Sequence, residues 1–269
     1  MPLELLQFEM LLPAFGLVLA RVAGVVWAVP FLASQEIPTV VKAGLVTTLS
    51  LMVFPAVSPF LPQSLTLGQA ATGMVGEFIV GEVMGLGAGL VLAAAQISGK
   101  LVSHQSAMAL GEAYNPLMDE PTTVLDEVWY FGVLMFFLAL RGHLAMVGVL
   151  LGSFEKVPPM MMTADGALGE YVVGILRSTF DLALRMSGPT VLALLLTSLI
   201  LGLLTRTMPQ LNILSVGFSF KITAALMILG ITATFSGDII ADGIADGLDQ
   251  VGQLFEHVSA TVSHGAGVS

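Results

Sequence analysis

The chain has 269 residues, of which 56% are hydrophobic and only 10% charged, and its mean hydropathy is +0.93. Soluble globular chains carry roughly 25% charged residues, so water is excluded as the main solvent and a polytopic membrane protein is expected. The net charge of −10 argues against nucleic acid, whose phosphates need a basic surface, and the lack of cysteine excludes disulfides and thiolate metal sites.

The opening MPLELLQFEM carries Glu4 and Glu9 but no Lys or Arg. A cleavable signal needs a basic start, so this segment is expected to be retained. Six apolar runs follow, at residues 10–33, 40–62, 67–103, 125–152, 168–205 and 212–240. Each reaches the roughly 20 residues of a spanning helix, and none alternates like a barrel strand. The expected fold is all-α and integral-membrane in type, with six long helical segments arranged as hairpins. Runs 67–103 and 168–205 are long enough to bend or to extend beyond a bilayer.

Turn residues divide the runs. Pro30 and Pro38 bracket FLASQEI, and Pro55, Pro59 and Pro62 close the second run. EAYNPLMDEPTT, 112–123, is the most polar internal stretch, FEKVPPMMMTADGA, 154–167, is the next break, and TMPQLN is the last. Beyond residue 250 the chain turns small and polar, and 251–269 is expected to be a flexible C-terminal tail. No polar linker separates two soluble domains.

Charges inside apolar runs are informative because an ionised group at a bilayer centre costs at least about 2.5–3.5 kcal/mol. Arg21 lies in the first run, Glu77 and Glu82 in the third, and Asp181 and Arg185 in the fifth. They could line an ion path, or their helices could be covered by protein and water rather than lipid. Asp181 and Arg185 stand one helical turn apart and are expected to form a buried ion pair. Lys42, Lys100, Arg141, Lys156 and Arg206 fall on both sides of any six-span alternation, so the positive-inside rule assigns no orientation.

Three motifs stand out. Gly81, Gly85 and Gly89 form a bare helix stripe that admits another backbone closely. The glycine spacing and the absence of a preceding strand exclude a nucleotide loop. Asp238, Asp242 and Asp246 share a helix face but lack the alternating acids of a calcium loop, so a solvated acidic face is expected. His104 has Ser103 and Ser106 nearby but no acidic orienter, and HExxH is absent, so no catalytic residue, metal site or cofactor is expected.

Four landmarks then occur in order: ARVAGVVWAVPFLASQEIPTVVKAGL with Arg21, Pro30, Pro38 and Lys42; EFIVGEVMGLGAGLVLAAAQISGKLVSHQSAMALGEAYNP; RGHLAMVGVLLGSFEKVP; and LLTRTMPQLNILSVGFSFKI with Arg206, Pro209, Gln210, Asn212, Gly217 and Lys221. Over about residues 10–245 the chain resembles the FliR family of flagellar biosynthetic proteins, and more broadly the T-type export-apparatus subunits of type III secretion systems. It departs from the pattern at Ser219, where many relatives carry proline, and in its low pI of 4.6.

The resemblance implies a non-enzymatic core subunit of a protein-export gate in the bacterial inner membrane, at the flagellar basal body. One such subunit joins several P-type and Q-type subunits. The A- and B-type membrane subunits lie beside them, membrane lipid surrounds the apparatus, and unfolded flagellar proteins pass through. Residues 1–167 would be P-subunit-like hairpins and 168–250 a Q-subunit-like hairpin. The loop at 105–120 would project into the channel as a plug, formed by Met108, Leu110, Tyr114, Asn115, Pro116 and Leu117. Arg206, Pro209, Gln210, Asn212 and Lys221 would dock the hairpin tip on other subunits. Pro209 limits the helix ending near Arg206, and Ser215 is a candidate cap for the next. The alternatives are a virulence-system T-subunit and an ion-coupled transporter using Arg21, Glu77, Glu82, Asp181 and Arg185.

Overall fold

A computed structural model describes residues 2–62, 65–106, 123–160, 166–207 and 213–266. Every regular element among them is helical: α1 (Pro2–Ala28), α2 (Pro30–Ala33), α3 (Thr39–Val57), α4 (Leu67–Ala88), α5 (Leu90–Gln105), α6 (Val124–Ala139), α7 (Gly142–Lys156), α8 (Gly166–Thr207) and α9 (Ile213–Ala266). A single 3₁₀ turn, Ser58–Phe60, follows α3.

Local chemistry sets the starts. Pro30 opens α2, where its missing N–H and fixed φ suit a first turn. Thr66 caps α4 by a reciprocal pair. The Gln69 N–H donates to Thr66 Oγ1 at 3.4 Å, and the Thr66 N–H donates to Gln69 Oε1 at 3.1 Å. Thr123 and Asp126 repeat this box at α6, with distances of 3.3 and 3.4 Å. Each box satisfies two donors that a helix start leaves orphaned. α9 begins at Ile213, so Ser215 stands inside its first turn and not at its cap.

Several of the expected runs break, the first of them at Val29 between α1 and α2. The third divides at Gly89, whose N–H donates to the Gly85 carbonyl at 2.8 Å before α5 starts. The fourth divides at Arg141, which adopts φ 59° and ψ 28°. One residue in the left-handed region ends a helix, and no proline marks the place in the sequence. The fifth run is a single helix despite Pro189. At 1.5 Å per residue its 42 residues extend about 63 Å, twice a hydrocarbon core. The segment after residue 250 is helical to Ala266, and Val251, Leu254 and Phe255 are buried. Their i, i+3, i+4 spacing gives that helix an inner face, where a loose tail was expected.

The chain packs as two compact units that interleave along the sequence. The first comprises Met1–Leu90, Arg141–Leu176 and Ile244–Ser269. In it α1 lies along α4, α3 packs on α1, and α7 touches α3 and α4. Its core holds Leu17, Val22, Met84, Phe154 and Val251. The second comprises Val91–Leu140 and Arg177–Gly243, with Leu92, Trp129, Phe137, Met186 and Ile240 buried. Each fully buried side chain of this size stabilises its unit by roughly 1.5–3 kcal/mol. α8 begins at Gly166, beside the expected 167/168 boundary.

Two described helices, Thr39–Phe60 and Leu168–Thr207, are long and apolar enough to cross a membrane. The number rises to 5 if each bent pair is one span: Gly68–Ala88 with Leu90–Gln105, Val124–Ala139 with Gly142–Lys156, and Ser219–Thr232 with Gly237–His257. Leu12–Ala28 is a shorter apolar helix. The six expected runs thus all carry helix. In the most apolar stretch of Leu168–Thr207 only 11% is buried, and Leu192, Leu196, Leu199 and Leu203 are among its bare side chains.

Candidate functional site

The polar centre of the first unit is built around Arg21, whose exposure is 0%. Its Nε donates to Glu77 Oε2 at 2.5 Å, Nη1 to Ser153 Oγ at 3.0 Å, and Nη2 to the Val157 carbonyl at 3.0 Å. The Phe154 ring lies 4.2 Å from the guanidinium carbon. Glu77 uses its second oxygen, Oε1, to accept the Met160 N–H at 3.0 Å. One ion pair therefore ties α1, α4, α7 and the chain beyond α7. A buried arginine is tolerable only with its charge matched and its nitrogens hydrogen-bonded, and here Glu77 matches the charge while each guanidinium nitrogen donates one bond.

Arg21 and Glu77 reach each other because α1 and α4 cross almost backbone to backbone. A Cβ on Gly81 would lie 2.1 Å from the Arg21 carbonyl oxygen and 3.0 Å from the Gly24 Cα. A Cβ on Gly24 would lie 2.2 Å from the Phe78 carbonyl oxygen. One turn on, a Cβ on Gly85 would meet Val25 and Ala28, and one on Gly89 would meet Pro30. The stripe Gly81, Gly85, Gly89 thus lies against α1 and the start of α2 in the same chain. A second close approach joins Gly87 and Gly247, where a Gly247 Cβ would stand 2.4 Å from the Gly87 carbonyl oxygen.

The other sequence candidates are dispersed. Asp181 and Arg185 bond at 2.7 Å, but their side chains are 59% and 69% exposed, so the pair is on the surface of the chain and not buried. It sits on α8, opposite the buried side chains of Ala183, Met186 and Ser187. Arg206 is exposed near the end of α8, and Lys221 is half-buried on α9. Pro209, Gln210 and Asn212 lie outside the described residues, as do Met108, Leu110, Tyr114, Asn115, Pro116 and Leu117. Glu82 is half-buried on α4 and takes no part in the Arg21 bonds given above. Asp238, Asp242 and Asp246 are exposed, while Ile240, Gly243 and Gly247 form the inner face of α9.

Sequence reasoning singled out Arg21 and Glu77 separately and did not join them. The available signal was one cation and one anion, each inside an apolar run, beside small residues on both helices. Lys42, named in the first landmark but given no role, is 7% exposed and donates to the Ala33 carbonyl at 2.8 Å, 5.6 Å from the Trp27 ring centre. In the second unit Ser103 and Thr123 share a hydrogen bond, and Trp129 Nε1 donates to Ser98 Oγ at 2.6 Å. Ser103 therefore serves packing of α5 on α6, and His104 is exposed beside it. Among the described residues no group of His, Cys, Asp and Glu could hold a metal ion.

The chain is similar to curated relatives along most of its length. The flagellar biosynthetic protein FliR of Bacillus subtilis (strain 168) is 26% identical over 223 residues, covering 81% of this chain and 85% of the relative. FliR of Escherichia coli (strain K12) is 27% identical over 218 residues, covering 78% and 80%. FliR of Caulobacter vibrioides is 22% identical over 235 residues, covering 87% and 94%. Residues 12–246 match the family described as Bacterial export proteins, family 1, and the chain belongs to that family.

Proposed function

We propose that the chain is a non-enzymatic core subunit of the flagellar type III protein export gate, helping to form and close a channel for unfolded flagellar proteins. The observation that carries this reading is the family match along residues 12–246. The flagellar names of the relatives favour that branch over a virulence system. The bare apolar surface of Leu168–Thr207 supports a chain that is covered by something outside itself. The locked Arg21–Glu77 pair disfavours an ion-coupled transporter, because both charges are sealed and matched.

In this reading the subunit sits in the bacterial inner membrane at the flagellar basal body. Its partners are P-type and Q-type gate subunits, with the A- and B-type membrane subunits nearby. Residues 1–167 act as the P-like part and 168–250 as the Q-like hairpin. Residues Met108 to Leu117 serve as the plug, and Arg206, Pro209, Gln210, Asn212 and Lys221 dock the hairpin tip. Clean deletion of the gene tests the branch: loss of flagella is expected, and a fully flagellated deletion strain would refute it. Deleting 108–117 is expected to raise channel leakage to small molecules, and unchanged leakage would remove the plug assignment. Arg206→Ala and Gln210→Ala are expected to weaken assembly before transport selectivity, and normal recovery of intact complex from both would remove the docking assignment.

A further inference from the structure

The residues that follow α7 are Val157, Pro158, Pro159 and Met160. Two prolines leave this stretch only two backbone N–H groups. The Val157 N–H stays with α7, donating to the Ser153 carbonyl at 2.8 Å. The Met160 N–H is held by Glu77 on α4. Arg21 takes the Val157 carbonyl from the other side. Met160 itself has φ 70°, a left-handed conformation that costs a non-glycine residue of order 1–2 kcal/mol. Its side chain lies over Gly73, where a Cβ would meet Met160 Cγ at 3.1 Å. A stiff, strained segment is thus fastened at both ends by one ion pair.

We propose that Val157–Met160 is a latched strap, with Glu77 as its positioning residue. Glu77 holds the Met160 N–H and, through Arg21, the Val157 carbonyl. Loss of Glu77 charge releases both ends together and relaxes Met160, while the glycine-to-glycine crossing keeps α1 on α4. The strap is therefore a conformational device that controls how the chain leaves α7. This inference does not rest on the export reading.

The chain contains no cysteine, so one introduced thiol reports alone. Val157→Cys replaces a side chain that is 1% exposed, and Val29→Cys provides a control at 0% exposure in the same unit. Both are labelled with a maleimide in native membranes, with and without Glu77→Gln. The glutamine keeps the size and one acceptor but turns a donor toward Arg21. The expected result is labelling of Val157→Cys roughly tenfold faster in the Glu77→Gln background, with Val29→Cys unchanged. Equal acceleration at both positions would mean general loosening and overturn the latch. No acceleration at either would show that Glu77 does not hold the strap. Should Glu77→Gln not accumulate, Glu77→Asp keeps the charge but is one methylene too short to hold both Arg21 and the Met160 N–H. Faster labelling confined to Val157→Cys is again expected, and unchanged labelling would overturn the proposal.

Discussion

Replacing Gly81 by alanine adds one methyl group at the point where α1 and α4 meet. Its carbon would stand 2.1 Å from the Arg21 carbonyl oxygen, an atom of the helix backbone that cannot rotate away. Carbon contacts settle near 3.5 Å, so the helices must part by about 1.4 Å. That displacement also lengthens the 2.5 Å Arg21–Glu77 bond, which the close crossing permits. Overpacking of this kind costs about 1–3 kcal/mol, and the rigid neighbour puts Gly81→Ala at the upper end. Gly76 lies on the same helix, and a Cβ there would meet nothing within 4 Å. Gly76→Ala should therefore show only the gain in helix propensity, about 1 kcal/mol of stabilisation. Thermal unfolding of the two purified variants should differ by roughly 3 kcal/mol, with Gly81→Ala the weaker. Equal stability would refute the close crossing.

Three further outcomes follow from the same geometry. Arg21→Leu or Glu77→Leu alone should destabilise by about 3–5 kcal/mol, and the double variant should recover most of that loss by thermal unfolding, because an unmatched buried charge costs more than an apolar pair. Asp181→Asn should stay within about 0.5 kcal/mol of the parent in the isolated chain, since that pair is exposed. Thr66→Ala and Thr123→Ala should each lose about 1 kcal/mol in the same assay through their caps. Thr123→Ala should lose more, because Thr123 also bonds Ser103.

Much of the fold was legible because membrane helices announce themselves as long apolar runs. All six runs carry helix, and Pro30 marks a real boundary, while Gly89, expected on one helix with Gly81 and Gly85, ends α4 instead. The break at Arg141 was hidden because a left-handed residue there is neither glycine nor proline. The helix through 251–266 had a readable signal, the spacing of Val251, Leu254 and Phe255, which small polar neighbours diluted. The Arg21–Glu77 pair spans 56 positions, and no periodicity links residues that far apart. Asp181 and Arg185 show the reverse case. Spacing foretold their contact, but their exposure depends on what covers α8, which local sequence does not encode.

Purification of the tagged chain from its native membrane, with identification of the proteins that come with it, decides whether the chain is a subunit of an export gate. One copy of this chain with two small helical membrane partners in several copies is expected. A homo-oligomer of this chain alone would contradict it.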